Sequence, residues 1–300
     1  MSATVEVTEF TDPGCIWSWS SEPTLRWLRR RYGSQITWRR VFGIQIDDIA
    51  LTHPDRDPDA DAERFREDWL DVSVHTGAPV CTRLAWMHRS TVPASAAALA
   101  AQEQGDVVAE AVLRRLREAV FVDGRPADTP DRIVAALAGV DGLDIVRLVR
   151  RAEEPDVRAV IDEHFSLTRD PHPDVLGRTG PGPNNGAARP HGDHVRYGFP
   201  TLIARGPGGE RVLSGWRSPE AHARDLEAVA AGTLVADTSL LDAAEALRRY
   251  RSLTAVELDL LTGGGQPPEG AVRVETATTA VWLHPAEADA RGGVSAGART

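Results

Sequence analysis

An α/β fold, in which a short β–α–β unit and a later β–β–α unit bracket a long helical insertion, is what the 300-residue sequence predicts. Three observations carry it. An alternating apolar segment near the N-terminus is broken by Asp12-Pro13-Gly14 and followed by a helical pattern. Helix-forming segments then dominate from about Asp47 to His172. Strand signals return at Thr201–Ala204 and Arg211–Leu213, just ahead of a capped helix.

The first strand is read from Val5 to Phe10, where Val5 and Val7 alternate with polar residues. A helix begins near Cys15 and runs towards Arg31, with Trp19, Leu25, Trp27 and Leu28 as apolar surface and Pro23 as an interruption. Tyr32-Gly33 ends it, because glycine suits a helix C-terminus. A second strand at Ile36–Val41 makes a parallel pair with a right-handed crossover.

Six helical segments follow. They are Asp59–Val74, with Phe65, Trp69 and Val72 at helical spacing, then Pro93–Gly105, Val107–Val120, Thr129–Leu137, Leu143–Arg151 and Pro155–Leu167. Thr129-Pro130 reads as a cap followed by proline in the first turn. Pro171–Pro190, containing TGPGPNNGAARP, is expected to be a loop or mobile segment. The strands at 201–204 and 211–213 form a hairpin around GPGG, and Ser218-Pro219-Glu220 opens a helix to about Ala231. Beyond it, Leu240–Tyr250 and Thr254–Leu261 read as helices, the second with a Thr254/Glu257 capping box. Val272–Leu283 alternates like a strand or hairpin, so 238–285 resembles a small winged-helix module, and 286–300 is expected to be disordered.

Composition narrows the chemistry. A net charge of -10 argues against a nucleic-acid-binding surface. All 34 basic residues are arginine, so neither a Schiff-base lysine nor a P-loop lysine exists. No apolar run approaches the about 20 residues of a membrane span. The segment MSATVEVTEF has neither a basic region nor a long apolar stretch, so a cytoplasmic protein is expected. Only Cys15 and Cys81 are present, too few for a disulfide framework.

Cys15 falls between a strand and a helix. Amides of the first helical turn and the helix dipole favour a thiolate there. Trp17 and Trp19 pull the other way by desolvating it.

The segment Phe10-Thr11-Asp12-Pro13-Gly14-Cys15-Ile16-Trp17-Ser18-Trp19, with Glu22-Pro23 and Leu25-Arg26 after it, resembles the active-site segment of the DsbA superfamily. Its cytosolic FrnE-type members and the SpxH-type adaptors of the ClpXP protease are the most similar in pattern. A second landmark, Tyr197-Gly198-Phe199-Pro200-Thr201-Leu202, is similar to the segment whose proline is cis and lies against the active-site cysteine. The resemblance spans about residues 3–232. It implies a thioredoxin-like domain from 3–46 and 195–232, with 47–194 as the inserted helices and Gly/Pro-rich loop. It also implies that Phe199 and Pro200 hold a sulfur-bearing substrate by backbone contacts.

One departure matters. The second cysteine of the family's Cys-x-x-Cys is Ser18 here. A dithiol cycle needs a resolving cysteine. Cys15 can still attack a disulfide, form a mixed disulfide with a low-molecular-weight thiol as co-substrate, or add to an electrophile, with Ser18 donating to the thiolate. Serine-bearing relatives, the kappa-class glutathione transferases and the hydroxychromene-carboxylate isomerases, imply conjugation or isomerisation as a further route. The expectation is therefore a thiol enzyme without a tightly bound cofactor, acting on a disulfide or small molecule. FrnE-type relatives imply a place in specialised metabolism. The alternative is a non-catalytic SpxH-like adaptor that binds a protein client.

Cys81, in Gly77-Ala78-Pro79-Val80-Cys81, is either a distant resolving thiol, a pocket-lining group or a partly buried structural cysteine, and Trp86 is a candidate lining residue beside it. Trp17, Trp19, Trp69 and Trp86 fit a groove or ordinary packing. His191-x-x-His194 is not a recognised zinc spacing. His194 is instead a candidate acid/base or thiolate partner, against the alternative of a solvated loop. The acidic stretch Asp55–Asp61 reads as a solvated loop and helix start.

Overall fold

A computed structural model describes residues 4–49, 57, 60–180 and 182–292. It separates into two compact units, Met1–Gln45 with Val160–Ser239, and Ile46–Ala159 with Leu240–Thr300.

The first unit is built on β1 (Val5–Thr11), α1 (Ile16–Tyr32) and β2 (Ile36–Phe42). β1 and β2 run parallel, with Val5 opposite Ile36 and Thr11 opposite Phe42. After the insertion, β5 (Thr201–Gly206) and β6 (Gly209–Ser214) complete a four-stranded sheet of order β2-β1-β5-β6, and β5 is antiparallel to both its neighbours. The helix α8 (Pro219–Val229) follows, its N-terminus capped by the Ser218 hydroxyl.

Period-two alternation gives the sheet two buried faces. On one, Val5, Val7, Leu202, Ala204 and Leu213 pack against Leu25 and Leu28 of α1 and Leu226 and Val229 of α8. On the other, Phe10, Val41 and Ile203 pack against Cys15, Val175, Tyr197 and Phe199. Pro23 lies inside α1 without ending it. The hydroxyls of Ser20 and Ser21 donate back to the carbonyls of Ile16 and Trp17 in this stretch.

Two more strands arise where sequence predicts only loop: β3 (Arg189–His191) and β4 (His194–Arg196), an antiparallel ladder just before Pro200. Three-residue strands around a Gly192-Asp193 turn are too short for alternation to register. The Gly/Pro-rich stretch ahead of them is likewise not all solvated. Val175 is fully buried, Asn184 is buried, and the Ala188 amide donates to the Val175 carbonyl.

The second unit contains α2 (Ala62–Thr76), α3 (Val92–Ala100), α4 (Asp106–Phe121), α5 (Pro130–Ala136) and α6 (Ile145–Ala152). α7 (Pro155–Thr168) runs across the boundary between the units. The tail supplies α9 (Ala243–Tyr250), β7 (Ser252–Thr254), α10 (Ala255–Thr262), β8 (Val272–Val274), β9 (Val281–Leu283) and α11 (Pro285–Ala290). Its three strands pair in the order β7-β9-β8. The Thr254/Glu257 capping box is formed.

The tail shares one unit with the inserted helices, whereas the sequence reading draws it as a separate module at 238–285. The reason is a buried ionic cluster. Arg114 on α4 donates both Nη atoms to Glu257 at 2.9 and 3.1 Å, and its Nε to Glu118 at 2.6 Å. Arg115 reaches Glu287 at 3.0 Å, and Arg291 reaches Glu118 at 2.5 Å. Bidentate guanidinium–carboxylate geometry satisfies charges that burial would otherwise leave costly. Residues 286–290, expected to be disordered, are helical because Glu287 belongs to this cluster. Residues 293–300 lie outside the described residues, as does most of the Asp55–Asp61 stretch.

Candidate active site

The site is assembled where β1 ends and α1 begins. The Asp12 carboxylate accepts from the backbone N–H of Gly14 at 2.7 Å and of Gln45 at 2.7 Å, fixing the turn that delivers Cys15. Cys15 is the N-cap residue of α1, with extended backbone angles and no side-chain cap bond. Its amide donates to the Asp12 carbonyl at 3.3 Å, and its carbonyl receives the Trp19 amide at 3.0 Å. The sulfur faces the opposite landmark: Sγ–H donates to the Phe199 carbonyl at 3.8 Å. The peptide between Phe199 and Pro200 is cis.

Ser18, one turn into α1, is fully buried, and its hydroxyl has no hydrogen-bond partner. Its amide and hydroxyl are nevertheless the groups that stabilise charge on Cys15. A thiolate would accept the bond that the neutral thiol leaves unmade.

Burial pushes the Cys15 thiol above its ordinary value, and the Asp12 carboxylate adds to the rise. The Ser18 donors and the Arg196 guanidinium oppose it. The balance differs from the sequence expectation of a helix-terminus thiolate, because the sulfur is only 5 % exposed and desolvation exceeds the donors' pull.

The surrounding wall is aromatic and cationic. Trp17 packs on the Cys15 cluster and meets Trp216 with ring centroids 6.3 Å apart. Phe10 stacks on Tyr197 at 4.3 Å. Gly43 lies against the Phe199 ring so closely that a Cβ there would be 1.8 Å from Cζ. Arg196 holds its guanidinium carbon 4.7 Å above that ring and donates to the Tyr197 carbonyl at 2.8 Å.

Thus Cys15, Ser18, Trp17, Phe199 and Pro200 lie in one neighbourhood of the first unit. Trp19 is 1 % exposed and belongs to the interior. His194 is exposed on β4, while Arg196, two residues on along the same strand, is the cationic group whose charge acts on Cys15. His191 pairs instead with Arg169 at 2.9 Å. Cys81 and Trp86 fall in the second unit. Both cysteines are free thiols. Burial raises Cys81 to about 11, and Trp86 donates to the Pro126 carbonyl under the Arg132 guanidinium. No group of three or more acidic, histidine or cysteine side chains that could hold a metal occurs among the described residues. No helix of the described residues is long and apolar enough to cross a membrane.

Arg196, Gly43 and Trp216 were not singled out by sequence reasoning. Arg196 is one of 34 arginines, and its proximity to Pro200 in sequence is the only signal it gives.

The family pattern described as thioredoxin matches residues 9–170, more than half of the chain and including the Cys15 turn. The chain belongs to the thioredoxin family. Solved structures agree on the fold. A protein from Nitrosomonas europaea described as a candidate protein disulfide isomerase is 16 % identical, with a TM-score of 0.55, over 75 % of this chain and 96 % of that one. The cytosolic disulfide reductase DsbM from Pseudomonas aeruginosa, solved with GSH, is 18 % identical, with a TM-score of 0.50, over 75 % and 96 %. No curated protein matches the chain by sequence. This thioredoxin-family protein therefore has a thioredoxin-like sheet interrupted by inserted helices, and carries Cys15-x-x-Ser18 at its helix start.

Proposed function

We propose that this protein carries out thiol–disulfide exchange through Cys15 alone, with a low-molecular-weight thiol as co-substrate. The observation that carries the reading is the placement of Cys15 as N-cap of α1, its sulfur on the Phe199 carbonyl beside the cis Pro200 peptide, with a serine where a resolving thiol would stand.

In the first step the Cys15 thiolate attacks one sulfur of a disulfide. A Cys15–S–S bond forms, the substrate S–S bond breaks, and the electron pair leaves with the other sulfur, which takes a proton from water. A second thiol then attacks the mixed disulfide, forms a new disulfide and returns Cys15 as thiolate. Ser18 donates to the sulfur when it is charged. The Phe199 carbonyl and the adjoining backbone align the incoming sulfur. The DsbM structure with GSH supports a small thiol in this type of fold. A role in specialised metabolism belongs to this proposal through the FrnE-type resemblance.

The test is capture. Reduced protein incubated with oxidised glutathione gives a mixed disulfide at Cys15, read by peptide mass spectrometry. Absence of an adduct at Cys15 over a pH series up to roughly the free-thiol range, about 8.5 and above, overturns the reading.

One observation favours a second reading, a non-catalytic protein-binding module of the SpxH kind. Cys15 is nearly inaccessible and its thiol is held protonated. On that reading Cys15→Ser leaves all binding intact and no mixed disulfide forms.

A further inference from the structure

The strands before Pro200 place two arginines face to face. Arg189 on β3 and Arg196 on β4 are direct register partners, so their side chains leave the ladder on the same face. Directly opposed like charges on a ladder are destabilising. Neither arginine has an ion-pair partner within 4 Å among the described residues. Arg196 makes one hydrogen bond, to the Tyr197 carbonyl, and its Nε is buried without an acceptor. A buried, unsatisfied donor on a charged group is costly unless something completes it.

Both side chains flank the Gly198-Phe199 segment. The Arg196 guanidinium lies over the Phe199 ring, and the Arg189 stem runs 3.9 Å from where a Cβ on Gly198 would be. The Phe199 carbonyl in turn accepts from the Cys15 sulfur. Arg189 is exposed and Arg196 half-buried, so the pair reaches from solvent to the ring of Phe199, whose carbonyl faces the Cys15 sulfur.

We propose that Arg189 and Arg196 form a receptor for a carboxylate carried by the sulfur compound that exchanges at Cys15. The inference rests on the exchange reading above and narrows its substrate class to carboxylate-bearing thiols and disulfides. A carboxylate next to Arg196 gives Nε its acceptor, and it separates the two like charges by an anion. The neighbouring acid, Asp12, is engaged by the Gly14 and Gln45 amides and braces the Cys15 turn.

Two chromogenic disulfides test this. Each half of dithiobis(nitrobenzoate) carries a carboxylate, whereas dithiodipyridine is uncharged. The readout is the second-order rate of mixed-disulfide formation at Cys15 with each probe, mapped by peptide mass spectrometry, and above all the ratio of the two rates. That ratio cancels any change in thiolate population. In Arg196→Met the ratio of anionic to neutral probe falls roughly 10- to 100-fold, the range of a charge-assisted hydrogen bond. Arg196→Lys recovers part of it. Arg189→Met, at an exposed position that does not threaten folding, lowers the ratio in the same direction by roughly threefold or more. Added salt slows the anionic probe selectively in the native protein. A ratio unchanged within about twofold in Arg189→Met and in Arg196→Met, or across the salt series should Arg196→Met not fold, overturns the receptor. If Cys15 in the native protein reacts with neither probe, the exchange reading falls and takes the receptor with it. If it reacts with both regardless of charge, only the receptor falls.

Discussion

The Cys15 sulfur and the Phe199 carbonyl, 184 positions apart in the chain, meet at 3.8 Å. That contact places the thiol on the backbone beside Pro200, and it depends on residues that carry no chemistry of their own. Asp12 anchors the turn from one side, and Gly43 leaves room for the Phe199 ring on the other.

Gly43→Ala tests the second support. An added Cβ would overlap the ring at 1.8 Å, so Phe199 must move. Overpacking of this kind costs about 1–3 kcal/mol, measured by urea unfolding. The Cys15 mixed-disulfide rate falls with it, because the carbonyl partner of the sulfur is displaced. A variant with native stability and native rate would show that the ring has no fixed place.

Ser18→Cys restores a resolving thiol one turn from Cys15. The position is fully buried, and a single oxygen is exchanged for a larger sulfur, so the fold is retained. The Cys15 mixed disulfide then becomes short-lived, by roughly an order of magnitude, and resolves into a disulfide between Cys15 and the introduced thiol. Intact-mass measurement after oxidised glutathione distinguishes a persistent adduct from a loss of two hydrogens.

The two native cysteines differ in kind. Cys81 is 1 % exposed and held at about 11, first of all by burial, whereas Cys15 is 5 % exposed and has the Ser18 donors and Arg196 acting on a charge at its sulfur. Alkylation of the folded protein under mildly alkaline conditions therefore labels Cys15 at least about tenfold faster than Cys81. Cys15→Ser removes nearly all native-state labelling, and denaturant restores reaction at Cys81. Faster labelling at Cys81 would reverse the assignment.

Three buried histidines set the acid limit of stability. His88, His164 and His222 are each lowered to about 4, first of all by burial. His164 Nδ1 also accepts from the Phe42 amide at 3.2 Å, a bond that its protonation breaks. Below an unfolded value of about 6.5 the unfolded chain takes up protons that the folded chain refuses. Stability therefore falls as pH drops from about 6.5 to about 4, on the order of 1.4 kcal/mol per pH unit for each histidine. Asp123, raised to about 6 by burial, opposes this between its ordinary value and 6, and Glu287, also raised by burial, acts in the same sense. The three histidines outweigh the two carboxyls, so urea midpoints decline between about pH 6.5 and about pH 4.5. His164→Gln flattens the decline. A flat profile in the native protein would contradict neutral burial of the three rings.

Glu257 ties the tail to α4. Glu257→Ala removes two guanidinium bonds from Arg114 and one half of the Thr254 capping box. Stranding Arg114 costs about 3–5 kcal/mol, read by urea unfolding. A loss below about 1 kcal/mol, on the scale of an exposed pair, would show that the cluster is solvated.

Much of this was legible in residue order. Cys15 follows a strand and a turn built from Asp12, Pro13 and Gly14, and such local signals survive in any tertiary context. The inserted helices are visible through caps and spacing, as at Thr129-Pro130, and the capping box at Thr254/Glu257 is read from four residues. Ser18 in place of cysteine limits the chemistry of the site from residue order alone. The short ladder of β3 and β4, the helix α11 and the union of the tail with the inserted helices left no such signal. Their stability comes from partners far along the chain, as Glu287 finds Arg115.

The sequence by itself determined that a cysteine stands at a helix start, with a serine three residues on, and so named the candidate reactive group. Only the tertiary structure decided the balance of forces on that sulfur and the company it keeps. Desolvation and the effect of Arg196 on a charge both depend on distances through space, and neither is encoded in spacing along the chain.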